Sequence, residues 1–250
     1  MNAAPLDAVH VEAHPSQTPV HDAADRRPGT GGGSAVEALI ERLQVFRGRG
    51  VFNQYTEVHP DYDHPDGAER RCANMRLFLD RFRDAGYVLV SEAPGYAGAR
   101  FSGVSFTDER FLVGPDALPW AGERAGYRRA SRDELPLRRE MSATIVWSAV
   151  GMRRDIIFWP SFPWHPMGAR GPMSNRPPRR DELDHGREVL AFFLRELFPG
   201  RVVGAVGRYG EAALRTLGYS NPLYLRHPAQ GGATAFRAGI AALPILPAGS

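Results

Sequence analysis

The apolar positions change rhythm along the chain. In AVEALIERLQVF, Val36, Leu39, Ile40 and Leu43 recur at helical spacing. RRCANMRLFLDRFRDAG repeats that period with Met75, Phe78, Leu79 and Phe82, and Gly86 stands where a C-terminal cap would close the helix. The period then collapses into the short apolar run YVLVSE at 87–92, which reads as a buried strand. DIIFW at 155–159, RVVGAVG and PLYLRHP give three more strands. Helix-period segments lie between them. These are SATIVWSAVG at 142–151 (a strand being the alternative), an amphipathic stretch over about 179–197, RYGEAALRTLG and TAFRAGIAAL.

Strands alternating with helices predict βαβ units. The expected fold is a three-layer α/β/α sandwich around a central, mainly parallel four-stranded sheet. In such sheets ligands bind outside the carboxyl ends of the strands. The loops after 92, 159 and 226 each follow a strand and are rich in special residues, so they should converge on one edge.

Residues 1–34 show no apolar period and end in GTGGGS. They read as a disordered tail, whose His10, His14 and His21 are solvated, ahead of one domain at 35–250. VFNQYTEVHPDYDHPDGAE is a loop of turn formers. Its His59, Asp61, Asp63, His64 and Asp66 are metal-ligating types, but a proline follows each histidine and no regular scaffold holds them. The segment from TDERFLVG to about 140 is mixed and arginine-rich, and PSFPWHPMGARGPMSNRPPR reads as a proline-rich loop.

Composition narrows the class without naming it. The chain has 250 residues, of which 24% are charged and 43% hydrophobic, as in ordinary globular proteins. All 31 basic residues are arginine and the net charge is +3. That fits a GC-rich coding bias, and arginine also suits forked contacts to phosphate. The single cysteine, Cys72, allows no disulfide within the chain and no cluster framework, and its place on an apolar helix face is a packing role. No apolar run is long enough to cross a bilayer, and no basic-then-apolar leader is present, so the cytoplasm is expected.

In EAPGYAGARFSGVSF, Pro94 and Gly95 make a tight turn after the strand, and Gly98 and Gly103 let backbone approach a ligand. Glu92 stands at the strand end and Phe106 opens the next element. The pattern is either a backbone-lined pocket with an acid and a stacking ring, or a glycine-rich connection with Phe106 in the core. It is not a phosphate-cradling P-loop, since no GK[ST] follows. Far along the chain, RHPAQGG puts His227 at another strand end, before Gly231 and Gly232.

These two segments in this order resemble the uracil-DNA glycosylase superfamily, whose first motif has the form GEAPG and whose second begins HP. The resemblance covers about 50–243 and extends to FNQY, SATIVW, FWPSFPWHP and SNRPPRRDEL. It implies hydrolysis of an N-glycosidic bond in DNA after the base is flipped into a pocket. By that likeness the flipped base stacks on Phe106. Backbone around Ala93, Pro94, Gly95 and Tyr96 meets the base or positions water, and His227 donates to the base oxygen that gains charge. A carboxylate orients the water or stabilises the sugar cation. Ala229, Gln230, Gly231 and Gly232 match the loop that enters the minor groove, and Asn175 and Arg176 are candidate contacts to the DNA backbone or caps of the next helix.

Three departures bear on the chemistry. Ala93 stands where the best-known branch keeps an aspartate, which leaves Glu92, Asp108 or Glu109 as the acid, or another means of stabilising the cation. Relatives with the GEAPG motif hold an iron–sulfur cluster on four cysteines, which one cysteine excludes. Pro160 stands where relatives place an asparagine that reads the base edge, and proline offers no donor. The expectation is therefore a monomeric, cofactor-free and metal-free glycosylase acting on DNA with a deaminated base, at no membrane. The alternatives are a member that binds DNA without cutting the bond, and a hydrolase of small nucleosides.

Overall fold

The computed structural model describes residues 32–247. The expected tail with His10, His14 and His21 falls outside them except for 32–34, which belong to the first helix and not to a tail. Helix α1 (Gly32–Val45) is followed by strand β1 (Val51–Phe52), helix α2 (Gly67–Arg81), strand β2 (Tyr87–Ser91) and two short helices, α3 (Ala99–Ser102) and α4 (Glu109–Leu112). Helix α5 (Met141–Val150) leads into β3 (Ile156–Pro160), and strands β4 (His165–Gly168) and β5 (Gly171–Asn175) follow. Helix α6 (Arg180–Phe192) continues into a π turn at Phe193–Leu197, then come β6 (Val202–Val206), α7 (Gly207–Thr216), β7 (Leu223–Leu225) and α8 (Ala233–Ala242).

The main sheet has the order β3-β2-β6-β7 with every neighbouring pair parallel. All five residues of the central strand β2 and of the edge strand β3 are buried, as parallel strands covered on both faces require. Helix α5 packs on α8, while α6 packs on both α1 and α7, completing the three-layer sandwich. The core is aromatic. Trp159 stacks on Phe193 with ring centres 4.0 Å apart, and Trp120 packs among Phe78, Phe82 and Trp147.

Two local expectations are corrected. Helix α2 ends at Arg81, with Phe82 as its cap, and a separate turn closed by Ala85 N–H to Phe82 O (2.9 Å) swings the chain into β2. Gly86 is therefore no helix cap; it already belongs to the sheet entry, accepting the Val202 amide, and a Cβ there would strike Leu246. The proline-rich segment after β3 is not all loop. β4 and β5 pair antiparallel, and β4 also pairs with β1, opposing Phe52 to His165. Pro172 sits on the edge strand β5, where a missing amide is tolerated, while Pro166 lies in the middle strand β4 just before the register shift at Met167/Gly168.

Among the described residues, no helix is long and apolar enough to cross a membrane. Cys72 is buried and unpaired in α2. Of the five metal-ligating types in the 59–66 loop, Asp63 is fully engaged: Arg71 and Arg100 pair with it, all three side chains having no exposed surface, and its Oδ2 accepts the His59 amide at 2.8 Å.

Candidate active site

Parallel pairing carries the ends of β2 and β3 to one edge, where Ser91 faces Pro160. The ladder continues past both strands: Ser161 N–H donates to Ser91 O (2.8 Å) and Phe162 N–H to Glu92 O (3.0 Å). The ends of β6 and β7 join them through the pair Val206–Leu225. The loops holding Glu92–Gly98, Ser161–Trp164 and Arg226–Gly232 therefore open on the same side.

The first loop is held from outside itself. His165 Nδ1 lies 2.9 Å from Pro94 O, and Nε2 lies 3.2 Å from Pro172 O. A neutral ring has one N–H and can serve only one of these carbonyls. Burial pushes the His165 pKa down to about 4, so it is neutral near pH 7. Asn175 Oδ1, at the end of β5, accepts the Tyr96 amide at 2.9 Å. The small sheet is thus the clamp of the loop. Arg176 is spent internally: its guanidinium forks onto Glu182 (2.6 Å to each oxygen) and also reaches Gly50 O.

Phe106 has φ +49°, a left-handed backbone that a bulky ring adopts only under constraint. The constraint is visible: Trp147 Nε1, from α5, donates to Phe106 O at 2.9 Å. The half-buried ring stands edge-on to Phe158, 5.4 Å away, and has His227 at its flank, 5.8 Å between ring centres. Stacked pairs in this protein lie at 4.0 Å, so His227 borders the ring rather than covering it.

His227 is fixed by its own turn. The Ala229 amide donates to Nδ1 at 3.1 Å, which makes Nδ1 the acceptor and puts the proton of the neutral ring on Nε2. Burial lowers the His227 pKa, and the charge of Arg226 lowers it further. The imidazole is therefore neutral at pH 7, with one N–H to offer. Gly232 is required beside it, since a Cβ there would collide with His227 O. Gln230, at φ +53°, is exposed at the turn with Gly231.

The carboxylates divide sharply. Glu109 Oε1 takes the amides of Ala130 (2.6 Å) and Ser131 (2.9 Å), and its Oε2 takes the Ser131 hydroxyl. Asp108 caps α4 by accepting the Phe111 amide (3.1 Å), and its second oxygen accepts the Glu140 amide (2.8 Å). Asp108 is fully buried, and burial raises its pKa against those backbone bonds, which lower it. Both acids are structurally occupied. Glu92 is half-buried and burial raises its pKa.

Glu140, which sequence reading passes over, lies against the first loop. A Cβ on Gly95 or on Gly98 would collide with its carboxyl group. Its residue surface is half-buried, but Oε2 is sealed from solvent and has no hydrogen-bond partner among the described residues. Burial pushes its pKa up to about 7, and the Asp108 charge adds to the rise. In the sequence Glu140 is one acid in an arginine-rich stretch, with no local signal to separate it from Glu134.

Pro160 is buried at the end of β3 and brings no donor. Ala93 and Tyr96 are half-buried, so parts of the first loop stay open to a ligand. Among the described residues, no cluster of three or more His, Cys, Asp or Glu side chains could hold a metal ion. Compared with known protein families, the chain matches none of their models, and no curated protein matches it in sequence.

Proposed function

We propose that the chain is a monofunctional DNA glycosylase that hydrolyses the N-glycosidic bond of uracil, or a related deaminated base, and leaves an abasic site. The observation that carries this reading is the pairing of Phe106 with His227 at the sheet edge. A constrained aromatic ring is bordered by an imidazole whose Ala229 contact leaves its proton on Nε2. That is what a flat, departing anion needs: a surface to stack on and a donor at its edge.

In this reading the base leaves the duplex and stacks on Phe106. The C1′–N bond breaks with its electron pair going to the base. The Nε2–H of His227 stabilises the charge that develops on the base oxygen, and a neutral donor does so without itself giving up a proton. The sugar becomes oxocarbenium-like and water completes the substitution. The Ala93–Tyr96 backbone borders the base, held by His165 and Asn175. The exposed Gln230 turn faces the duplex. With Pro160 in place of an edge-reading donor, discrimination among deaminated bases is weak, because large selectivity comes from buried donors left unpaired by the wrong ligand.

The test is a panel of end-labelled oligonucleotides, single- and double-stranded, bearing uracil, hypoxanthine or xanthine. Alkali-labile cleavage at the lesion is expected, and it should fall sharply in His227→Ala. Salt-dependent binding without cleavage would instead identify a DNA-binding protein. Base release from free nucleosides alone would identify a small-molecule hydrolase.

A further inference from the structure

We propose that Glu140 is the carboxylate that holds and deprotonates the hydrolytic water, taking the part of the acid that the first loop lacks at Ala93. This rests on the glycosylase reading above.

Three observations point to Glu140. Its carboxyl group is pressed onto the first loop at Gly95 and Gly98, and both positions must lack a Cβ for it to lie there. A loop that keeps two glycines open to admit a carboxyl group brings that group to the segment expected to border the base. Next, Oε2 is sealed with no partner among the described residues. A buried, unpaired carboxyl oxygen is costly, and it leaves one acceptor free for a water that enters with the substrate. Finally, two of the three acids named for the role are engaged elsewhere, which leaves the half-buried Glu92 as the competitor. Glu109 is saturated by the 130–131 backbone and Asp108 by two amides.

Among the described residues, no cation pairs with Glu140. Of its neighbours in the chain, Arg138 turns to the rings of Tyr62 and Phe101, and Arg139 to the Thr144 hydroxyl. Asn175, which also lies near the Gly95 Cβ position, is neutral, and the charge that acts on Glu140 is that of Asp108. The carboxylate form is thus a stronger base than a solvated one, and its pKa of about 7 matches a group that exchanges protons near neutrality. The step balances simply. Water forms the new C1′–O bond as the C1′–N bond breaks. The water proton passes to Glu140, and the base anion, stabilised by His227, is later protonated from solvent.

The test compares wild type, Glu140→Gln, Glu140→Ala and Glu92→Gln in single-turnover cleavage of the best substrate from the panel, between pH 5 and 9, alongside binding to the same DNA. The expected result is a loss of about a hundredfold or more at pH 8 in both Glu140 variants. Binding should stay within threefold, and the rise of rate with pH near 7 should vanish. Added formate should restore part of the Glu140→Ala rate, a rescue that a merely structural role would not give. Glu140→Gln within threefold of wild type, or Glu92→Gln impaired as strongly as Glu140→Gln, would overturn the assignment while leaving the glycosylase reading in place. A wild type inactive on every substrate would overturn both.

Discussion

Asp108 joins two segments that lie 32 residues apart: its Oδ2 accepts the backbone amide of Glu140 at 2.8 Å while its Oδ1 caps α4. One buried carboxylate thus fixes where the other stands and raises the other's pKa through its charge. Two acids with different surroundings take different roles, one held by amides and one left without a partner.

Asp108→Asn removes that charge, so the Glu140 pKa should fall. The rising limb of the rate–pH profile should move to lower pH, by an amount that a single-turnover series resolves. The substitution also turns one acceptor into a donor facing an amide, which should cost about 1 kcal/mol in urea denaturation. Lower stability with an unmoved limb would show that Asp108 does not tune Glu140.

Glu140 also sets a pH dependence of stability that needs no activity to observe. Its ordinary value is 4.5 and its folded value is raised to about 7, so the folded state holds its proton more tightly than the unfolded chain. The stability from this group is complete below about pH 4.5 and is lost as pH rises through about 7. At roughly 1.4 kcal/mol per pKa unit, the loss is on the order of 3 kcal/mol. Glu140→Gln cannot ionise, so its stability relative to wild type should improve between pH 5 and 8. Parallel stability curves for the two proteins would mean that Glu140 titrates at an ordinary pKa.

His227→Ala should slow base release by about a hundredfold, the usual cost of removing one donor to a developing anion. Affinity for DNA should change little. Because burial holds the His227 pKa below its ordinary value, its protonation should leave no falling limb between pH 7 and 8. Unimpaired cleavage by His227→Ala would remove it from the reaction.

Gly98→Ala inserts a methyl group into the place of the Glu140 carboxyl. That carboxyl is the far end of a flexible side chain and can swing aside, so the cost in stability should stay within about 1 kcal/mol. The variant should lose cleavage while melting close to wild type. Gly33→Ala is the control: nothing lies near that position, and the change should stay within about 1 kcal/mol. Equal cleavage by the two variants would contradict the contact between loop and carboxyl group.

The sheet and the edge on which the site lies were legible because their signals are local. YVLVS is a continuous apolar run, and Pro94-Gly95 and His227-Pro228 punctuate strand ends. His227 was singled out from its strand-end position, whereas the pattern around Phe106 allowed either a pocket ring or a core ring. The small sheet of β1, β4 and β5 was not legible, since Pro166, Gly168, Gly171 and Pro172 argue for loop wherever tertiary pairing is not known. Glu140 was hidden for another reason. It immediately precedes α5 yet caps no amide with its side chain, and only the packing of that helix end against Gly95 and Gly98 distinguishes it. For Asp63 the sequence argued against a metal but could not name the partners, because Arg71 and Arg100 lie outside its loop.

Those partners give the last prediction. Asp63, Arg71 and Arg100 form a buried group that ties the 53–66 loop to α2 and to α3, the short helix that follows the first loop. Arg71 also donates to Gln54 O and Glu57 O, and Arg100 lies over the Phe52 and Phe101 rings at 4.2 and 4.1 Å. Asp63→Ala would strand two guanidinium groups without their anion, a change that costs about 3–5 kcal/mol when charges are buried. Glu37→Gln breaks the Arg76–Glu37 pair at the surface, where such pairs contribute about 1 kcal/mol or less. Urea denaturation should therefore separate the two variants clearly. Comparable small losses in both would mean that water reaches the Asp63 group, and that α3 is anchored by its apolar contacts alone.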